Sequence, residues 1–303
     1  ERSDNRQAFD GSIDNKSLTK VSGVKQIYSS EVGITKVERR ISTTKQIATT
    51  IVPLGYIDHL GLYTNPSRSR VINKLLEDNS DSRIVDLTLH LFRMRMIKQA
   101  PELAAIQNAI DITIASIKDA TAAKKRANYK FDHELEAEVS FGFRKRGASG
   151  DSFQPIVAAG KRACVLHNFA NSSPLKNNEL IIVDVGAEVE HYAADISRTI
   201  SLGKPTRRQI QVHAAVLDVQ QFAFGLLKPG LTRKEYESKV EHYMGEKLCE
   251  LGLLKKPTHK QIRHYYPHAT SHFMGLNVHD AGDYDSPFEA GTVMTVEPGI
   301  YIP

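Results

Sequence analysis

Three carboxylates and an imidazole stand in the C-terminal half where unpaired charge is expensive. They are Asp184 in LIIVDVGAE, Asp195 in HYAADISRT, His272 in HATSHFMGLNVHD and Glu297 in TVEPGIY. Each sits in an apolar, β-branched run, where a buried charge needs a partner. Taken singly, such an aspartate more often caps a turn or pairs with arginine, and Arg198 is at hand. Taken together, the four groups call for shared compensation, which a divalent cation supplies. Hard carboxylate oxygens with one imidazole suit Mn²⁺, Co²⁺ or Zn²⁺. Two such ions need about four carboxylates for neutrality, and three are in view.

Histidine is concentrated beside them: His264, His268, His272 and His279 fall within sixteen residues. His268 and His272 have the i, i+4 spacing of a zinc-binding helix. Pro267 and Gly275 argue against a regular helix there, and no glutamate follows His268. Any one of these histidines alone is more often an ordinary core or surface residue. His167, in VLHNFANS, precedes the Asp184 run and could reach the same pocket from a neighbouring strand. Asp184 and Asp195 flank a turn region, Gly186–His191, and could face each other across a hairpin.

The elements that must position these groups follow from periodicity. At 303 residues two domains are expected. Residues 1–50 are polar, with strand-like stretches such as Val21–Ile27, and suggest an incomplete α/β domain over 1–90. Asn65-Pro66 marks a turn and Ser67–Glu77 has helical spacing. Residues 84–98 lead into a long helix with Pro101 in its first turn, placing Leu103, Ile106, Ile110, Ile114 and Ile117 on one face. A second helix covers about Asp132–Arg144, and strands are expected at Phe153–Ala158, Ala163–Leu166, Leu180–Val185 and Ala194–Ser201. Two capping boxes, Thr206–Gln209 and Thr232–Glu235, then open amphipathic helices. Lys228-Pro229-Gly230 ends the first helix, and the second runs to about Leu253. Strand-like segments close the chain at Ser271–Val278 and Thr292–Tyr301. Residues 100–203 and 204–303 thus each read as two helices followed by antiparallel strands: a duplicated α+β domain with helices on one curved sheet.

Composition narrows the function. With 41% apolar and 25% charged residues the chain has an ordinary globular make-up. Its pI of about 9.0 reflects only 40 basic against 35 acidic side chains. No basic block is interleaved with aromatics, so nucleic acid is not an expected partner. No apolar run approaches the roughly 18 residues of a membrane span. Cys164 and Cys249 lack any framework spacing, which favours a reducing compartment, the cytoplasm. Because the chain opens on Glu1 and not on Met, a removed targeting segment stays open.

The Asp184 and Asp195 runs, HATSHFMGLNVHD and VEPGIY together resemble the pita-bread metallopeptidases: Xaa-Pro aminopeptidases, prolidases, methionine aminopeptidases and creatinase. The likeness spans about residues 90–303. Ser271 before His272, and the His-Asp-x-Gly-x-Tyr run from His279 to Tyr284, look most like Xaa-Pro aminopeptidase, since prolidases more often carry Gly before that histidine.

The resemblance implies a dinuclear metallo-aminopeptidase domain over 91–303, with Mn²⁺ the favoured ion. Asp184 would chelate one ion, Asp195 would bridge both, and His272 and Glu297 would hold the second. His279, His268 and Glu297 would serve catalysis, with His167, His268 and His279 contacting substrate or a developing oxyanion. The substrate implied is a peptide with proline at its second position, and the assembly a homodimer. A fifth family ligand, a bridging Glu on the last strand, has no counterpart in the six residues after Glu297, so the chain is expected to stop short of it. Prolidase activity on dipeptides is the nearest alternative. A non-catalytic pita-bread binding module is the other, although such relatives typically lose their ligands and four of five are present here.

Overall fold

The computed structural model describes residues 14–50, 73, 74, 77 and 83–302. The expected turn at Asn65-Pro66 lies outside the described residues, as does most of the helical run over 67–77. The chain divides into two compact units, Glu1–His90 and Leu91–Pro303. In the first, helix α1 (Asn15–Ser22) is capped by Asp14, which accepts from the Lys16 and Ser17 amides, and it ends at Gly23 with φ 68°. Val21 therefore closes a helix and does not open a strand, because a left-handed glycine fits a helix C-terminus. Helix α2 (Ser30–Ile41) follows. Strands β1 (Gln46–Thr49) and β2 (Arg83–Asp86) then pair in parallel.

The second unit carries every candidate site residue. Helix α3 (Thr88–Met96), in this unit from Leu91 on, leads to α4 (Ala100–Ala120), with Pro101 in the first turn and the Glu102 carboxylate accepting from the Gln99 amide. Then come α5 (Ala123–Arg126), α6 (Asp132–Lys145), β3 (Gly150–Asp151) and β4 (Ile156–Ala159). They are followed by β5 (Leu180–Val185), β6 (Ala187–Val189), β7 (Tyr192–Ala193) and β8 (Ile196–Ser201). Helices α7 (Arg207–Leu226), α8 (Arg233–Glu250) and α9 (His259–Tyr265) complete the regular elements described. Thr206 and Thr232 cap α7 and α8 as their sequences require. Among the described residues no helix is long and apolar enough to cross a membrane.

Strands β4, β5 and β8 form one antiparallel sheet, and β3, β6 and β7 another. Ile181, Val183 and Val185 of β5 are fully buried against Ala109 and Ile112 of α4 and Leu135, Val139 and Phe143 of α6. Each such side chain contributes about 1.5–3 kcal/mol of burial. A one-residue slip of β5 would drive Asp184 into that core, so the apolar alternation fixes which face the carboxylate takes. A second core joins Val219 and Ala223 of α7 to Tyr236, Val240, Met244 and Leu248 of α8. Ile106, Ala193 and Met274 form a third, smaller cluster, which shares the partly buried Ile110 with the first core.

Several expected elements differ. The buried stripe of α4 runs through Ala105, Ile106, Ala109, Ile112, Thr113, Ser116, Ile117 and Ala120, while Leu103 is exposed. Small residues win this face because the helix lies close to its neighbours: Thr113 donates to the Ala109 carbonyl and accepts from the Ala187 amide. The expected strand at Ala163–Leu166 is replaced by a 3₁₀ turn over Gly160–Cys164, entered through Gly160 at φ 58°, and Val165 and Leu166 are exposed. The segments 271–278 and 292–301 bridge antiparallel at Phe273 and Met294 without becoming regular strands, and the first bends from Gly275 to His279. Side chains take three of the neighbouring amides: Glu237 accepts from Thr270 and Ser271, and the Thr295 hydroxyl accepts from His272.

Gly186 sits where β5 passes into β6. A Cβ there would overlap the Ala194 carbonyl oxygen and crowd the Ser152 hydroxyl, which donates to that same oxygen. Gly186→Ala should therefore destabilise the unit by about 1–3 kcal/mol or more, the usual cost of forcing extra volume into packed structure. Thermal unfolding checks this, and an unchanged midpoint would mean that this crossing opens freely.

Candidate metal centre

Asp184 projects from β5 opposite Ser197 of β8, whose hydroxyl donates to its Oδ1 at 2.8 Å. Arg198, the sequence candidate for that role, is exposed and donates to the Ser197 carbonyl instead. Between Asp184 and Asp195 the chain makes a hairpin of β6 and β7 that belongs to the other sheet. Its tight turn is Glu190–His191, with φ of 50° and 69°. The two aspartates thus stand where the chain leaves β5 and enters β8, not directly across one turn. His272 and Glu297 arrive on the bridged segments: the Thr295 amide donates to the His272 carbonyl and the Glu297 amide to the Thr270 carbonyl.

Three of these groups meet at one atom. His272 Nε2 lies 3.2 Å from Asp195 Oδ2 and 3.1 Å from Glu297 Oε1. Nδ1 is engaged with the Phe273 carbonyl at 3.0 Å, which leaves Nε2 to face the carboxylates. Thr295 donates to Glu297 Oε1 at 2.9 Å. The electrostatics are those of an anionic cluster short of cation. Burial pushes Asp184 up to about 7, with the Asp195 and Glu297 charges adding to the effect and Ser197 opposing it. Burial works against a charged His272, yet its bonds to Asp195 and Glu297 prevail and hold the ring up at about 10. For Glu297, burial is outweighed by His272, and its carboxyl falls below the usual range.

Among the described residues, no three His, Cys, Asp or Glu side chains are poised to share one ion as they stand. His272 Nε2 lies between the Asp195 and Glu297 carboxylates, and its bonds to them hold the ring's proton. The donor set itself fits a hard or borderline divalent ion, with three carboxylates and one imidazole whose other nitrogen is already fixed by a carbonyl.

The remaining histidines take different positions. The His279 ring packs against His272 with centroids 4.2 Å apart, while its other side is open to solvent. Partial loss of water, and then the neighbouring His272 charge, push its pKa below the ordinary histidine value. His268 bonds through Nε2 to the Tyr301 hydroxyl at 2.8 Å, and its charge helps to lower Glu297. His167 is exposed, stacked on Phe169 at 5.7 Å, and lies after the 3₁₀ turn instead of on a strand. Its described link to the cluster is an electrostatic one, to His279. His264 stacks edge-on against Tyr265 in α9 and takes no part.

Sequence reasoning passed over the supporting residues. Ser197 and Thr295 each lie two positions from a site carboxylate, on the same face of an extended chain, and that spacing could have found them. Glu237 could not be found this way. It reaches from α8, more than thirty residues away in sequence, to hold the Thr270 and Ser271 amides.

Comparison with known proteins gives the family and the fold. The model of metallopeptidase family M24 matches residues 104–303. The Xaa-Pro aminopeptidase of Haemophilus influenzae is 36% identical over 232 residues, 73% of this chain and 53% of that protein. The chain therefore spans about half the length of this relative. Aminopeptidase PepP of Pseudomonas aeruginosa superposes with a TM-score of 0.85 at 26% identity, covering 100% of this chain and 70% of that one. A zinc-substituted Escherichia coli aminopeptidase P in complex with product superposes at 0.83 and 25% identity, again covering 100% and 70%. The architecture is the α+β pita-bread fold of these enzymes. The chain belongs to metallopeptidase family M24.

Proposed function

We propose that this chain carries the metal-binding and catalytic residues of an aminopeptidase that removes an N-terminal residue standing before proline. The observation that carries this reading is the convergence of Asp195 and Glu297 on the His272 Nε2 nitrogen, with Asp184 raised by burial and then by the same carboxylates. Asp184, Asp195, His272 and Glu297 would hold divalent cations, Mn²⁺ first and Co²⁺ or Zn²⁺ as alternatives. Such ions supply Lewis acidity to a peptide carbonyl and acidify water.

The chain's own groups have distinct parts. His279 packs against His272 and is exposed, so its ring can donate an N–H to the carbonyl oxygen as negative charge gathers there. His268, steadied by Tyr301, and the exposed His167 would contact the peptide on either side of the reacting bond. An Xaa-Pro bond has no N–H, so peptidases that grip the scissile N–H fail on it. We place the protein in a reducing, cytoplasmic setting, in line with the two unpaired cysteines, Cys164 and Cys249, and infer a homodimer from the family resemblance.

The test is to strip the protein with chelator, restore Mn²⁺, and offer an Xaa-Pro-Xaa tripeptide beside an Xaa-Pro dipeptide. Metal-dependent release of the first residue from the tripeptide is expected. Cleavage confined to the dipeptide would make it a prolidase. Metal binding with no cleavage of either peptide would favour the binding module.

A further inference from the structure

Beside the metal centre lies a second group of charges that the reaction does not use. Lys98 and Asp280 are each only 1% exposed at their side chains and face one another with Nζ and Oδ2 3.3 Å apart. Arg95 donates to the other oxygen of Asp280 and, at 2.7 Å, to Asn277 Oδ1. A buried ion pair contributes little stability compared with apolar residues of the same volume. Burial indeed pushes the Lys98 ammonium below its ordinary value, with Asp280 opposing that shift. Such a cluster needs a reason other than stability.

Its place in the chain supplies one. Asp280 directly follows His279, and its amide donates to the Phe273 carbonyl at 2.8 Å, closing the loop 273–280 at its neck. His272 and His279 flank that neck, which is why their rings touch. Gly275 leaves room for the lock: a Cβ there would overlap Asp280 Oδ2 and stand 2.9 Å from Lys98 Cε. The loop and Lys98 are in turn tied to the segments that lead to two of the site carboxylates. The Ala193 amide, two residues before Asp195, donates to the Gly275 carbonyl at 2.8 Å. The Lys98 amide donates to the Gly291 carbonyl at 2.9 Å, on the segment that runs to Glu297.

We propose that Asp280 is a positioning residue: clamped by Lys98 and Arg95, it holds the His279 imidazole against His272 at the mouth of the metal centre. This rests on the reading of His279 as the group that meets the substrate carbonyl. Without the clamp the neck of the loop can open, and His279 leaves its post while Asp195, His272 and Glu297 keep theirs.

Asp280→Asn alone strands Lys98 as a buried unpaired cation and endangers folding, so the working variant is Lys98→Met/Asp280→Asn, which removes both charges and nearly keeps their volume. It is compared with wild type, His279→Ala and the triple variant, all loaded with Mn²⁺ for kinetics and metal analysis. Ring-proton NMR contacts between His272 and His279 are measured on the metal-free proteins. The double variant is expected to melt cooperatively, keep its metal, and lose about 10–100-fold in kcat on an Xaa-Pro-Xaa peptide, the usual effect of an outer partner, with little change in KM. The His272–His279 ring contact should weaken, and on the His279→Ala background the two substitutions should cost no further activity. An undiminished ring contact, or a full further loss on the His279→Ala background, would overturn the positioning role. Should no variant or wild type cleave any Xaa-Pro peptide, the function fails, while the ring contact still decides whether the clamp holds His279.

Discussion

Asp195→Asn is expected to abolish both firm metal binding and peptide hydrolysis. Asn keeps the size of the side chain, so the strand register beside it should survive. What is lost is one of three negative charges and the oxygen 3.2 Å from His272 Nε2. One carboxylate oxygen becomes an amide donor beside Asp184, a carboxyl raised by burial and then by its charged neighbours. Metal content should fall by at least one ion per chain. The drop in kcat should exceed the roughly 10²–10³-fold that a single oxyanion donor supplies. A separate readout needs no turnover: metal at about 100 times its Kd stabilises a folded protein by about 2.7 kcal/mol. Wild type should show that gain in thermal midpoint on adding Mn²⁺, and Asp195→Asn should not. A variant that retains its metal with normal turnover would remove Asp195 from the ligand set.

His279→Ala should behave in the opposite way with respect to metal. The ring leans on His272 but bonds to none of the site carboxylates in the contacts described, and one side is open. Metal content should stay at the wild-type value while kcat falls roughly 10²–10³-fold, the loss expected when one preorganised donor to a developing negative charge is removed. The change should appear in kcat more than in KM, because the charge exists only in the transition state. Loss of metal in this variant would make His279 a ligand, and unchanged kcat would return it to the ordinary surface histidines.

What was legible in the sequence was local. Charged residues inside β-branched runs stand out against their neighbours, which drew attention to Asp184, Asp195, His272 and Glu297. The α7 and α8 starts were legible because a capping box is complete within four residues: Thr206 with Gln209, Thr232 with Glu235. Where contacts between distant segments decide, the pattern misled. Leu103 matches the apolar stripe of α4 yet is exposed, while Ala109 and Ser116 are buried, because close neighbours favour small side chains. Glu190–His191 forms a tight turn without the Asn-Gly signal that usually marks one. The last two segments carry strand-like residues and exchange some backbone hydrogen bonds, but Glu237 and Thr295 take the amides of Thr270, Ser271 and His272. Lys98 and Asp280 are 182 positions apart, and no spacing rule connects them.

The most direct measurement is diffraction from crystals soaked in Mn²⁺, with data collected near the manganese edge. The expected result is an anomalous peak bounded by the carboxylates of Asp184, Asp195 and Glu297 and by Nε2 of His272, absent from Asp195→Asn crystals treated alike. A peak elsewhere, or none at this cluster with the His272 contacts to Asp195 and Glu297 unchanged, would contradict the metal centre and the peptidase built upon it.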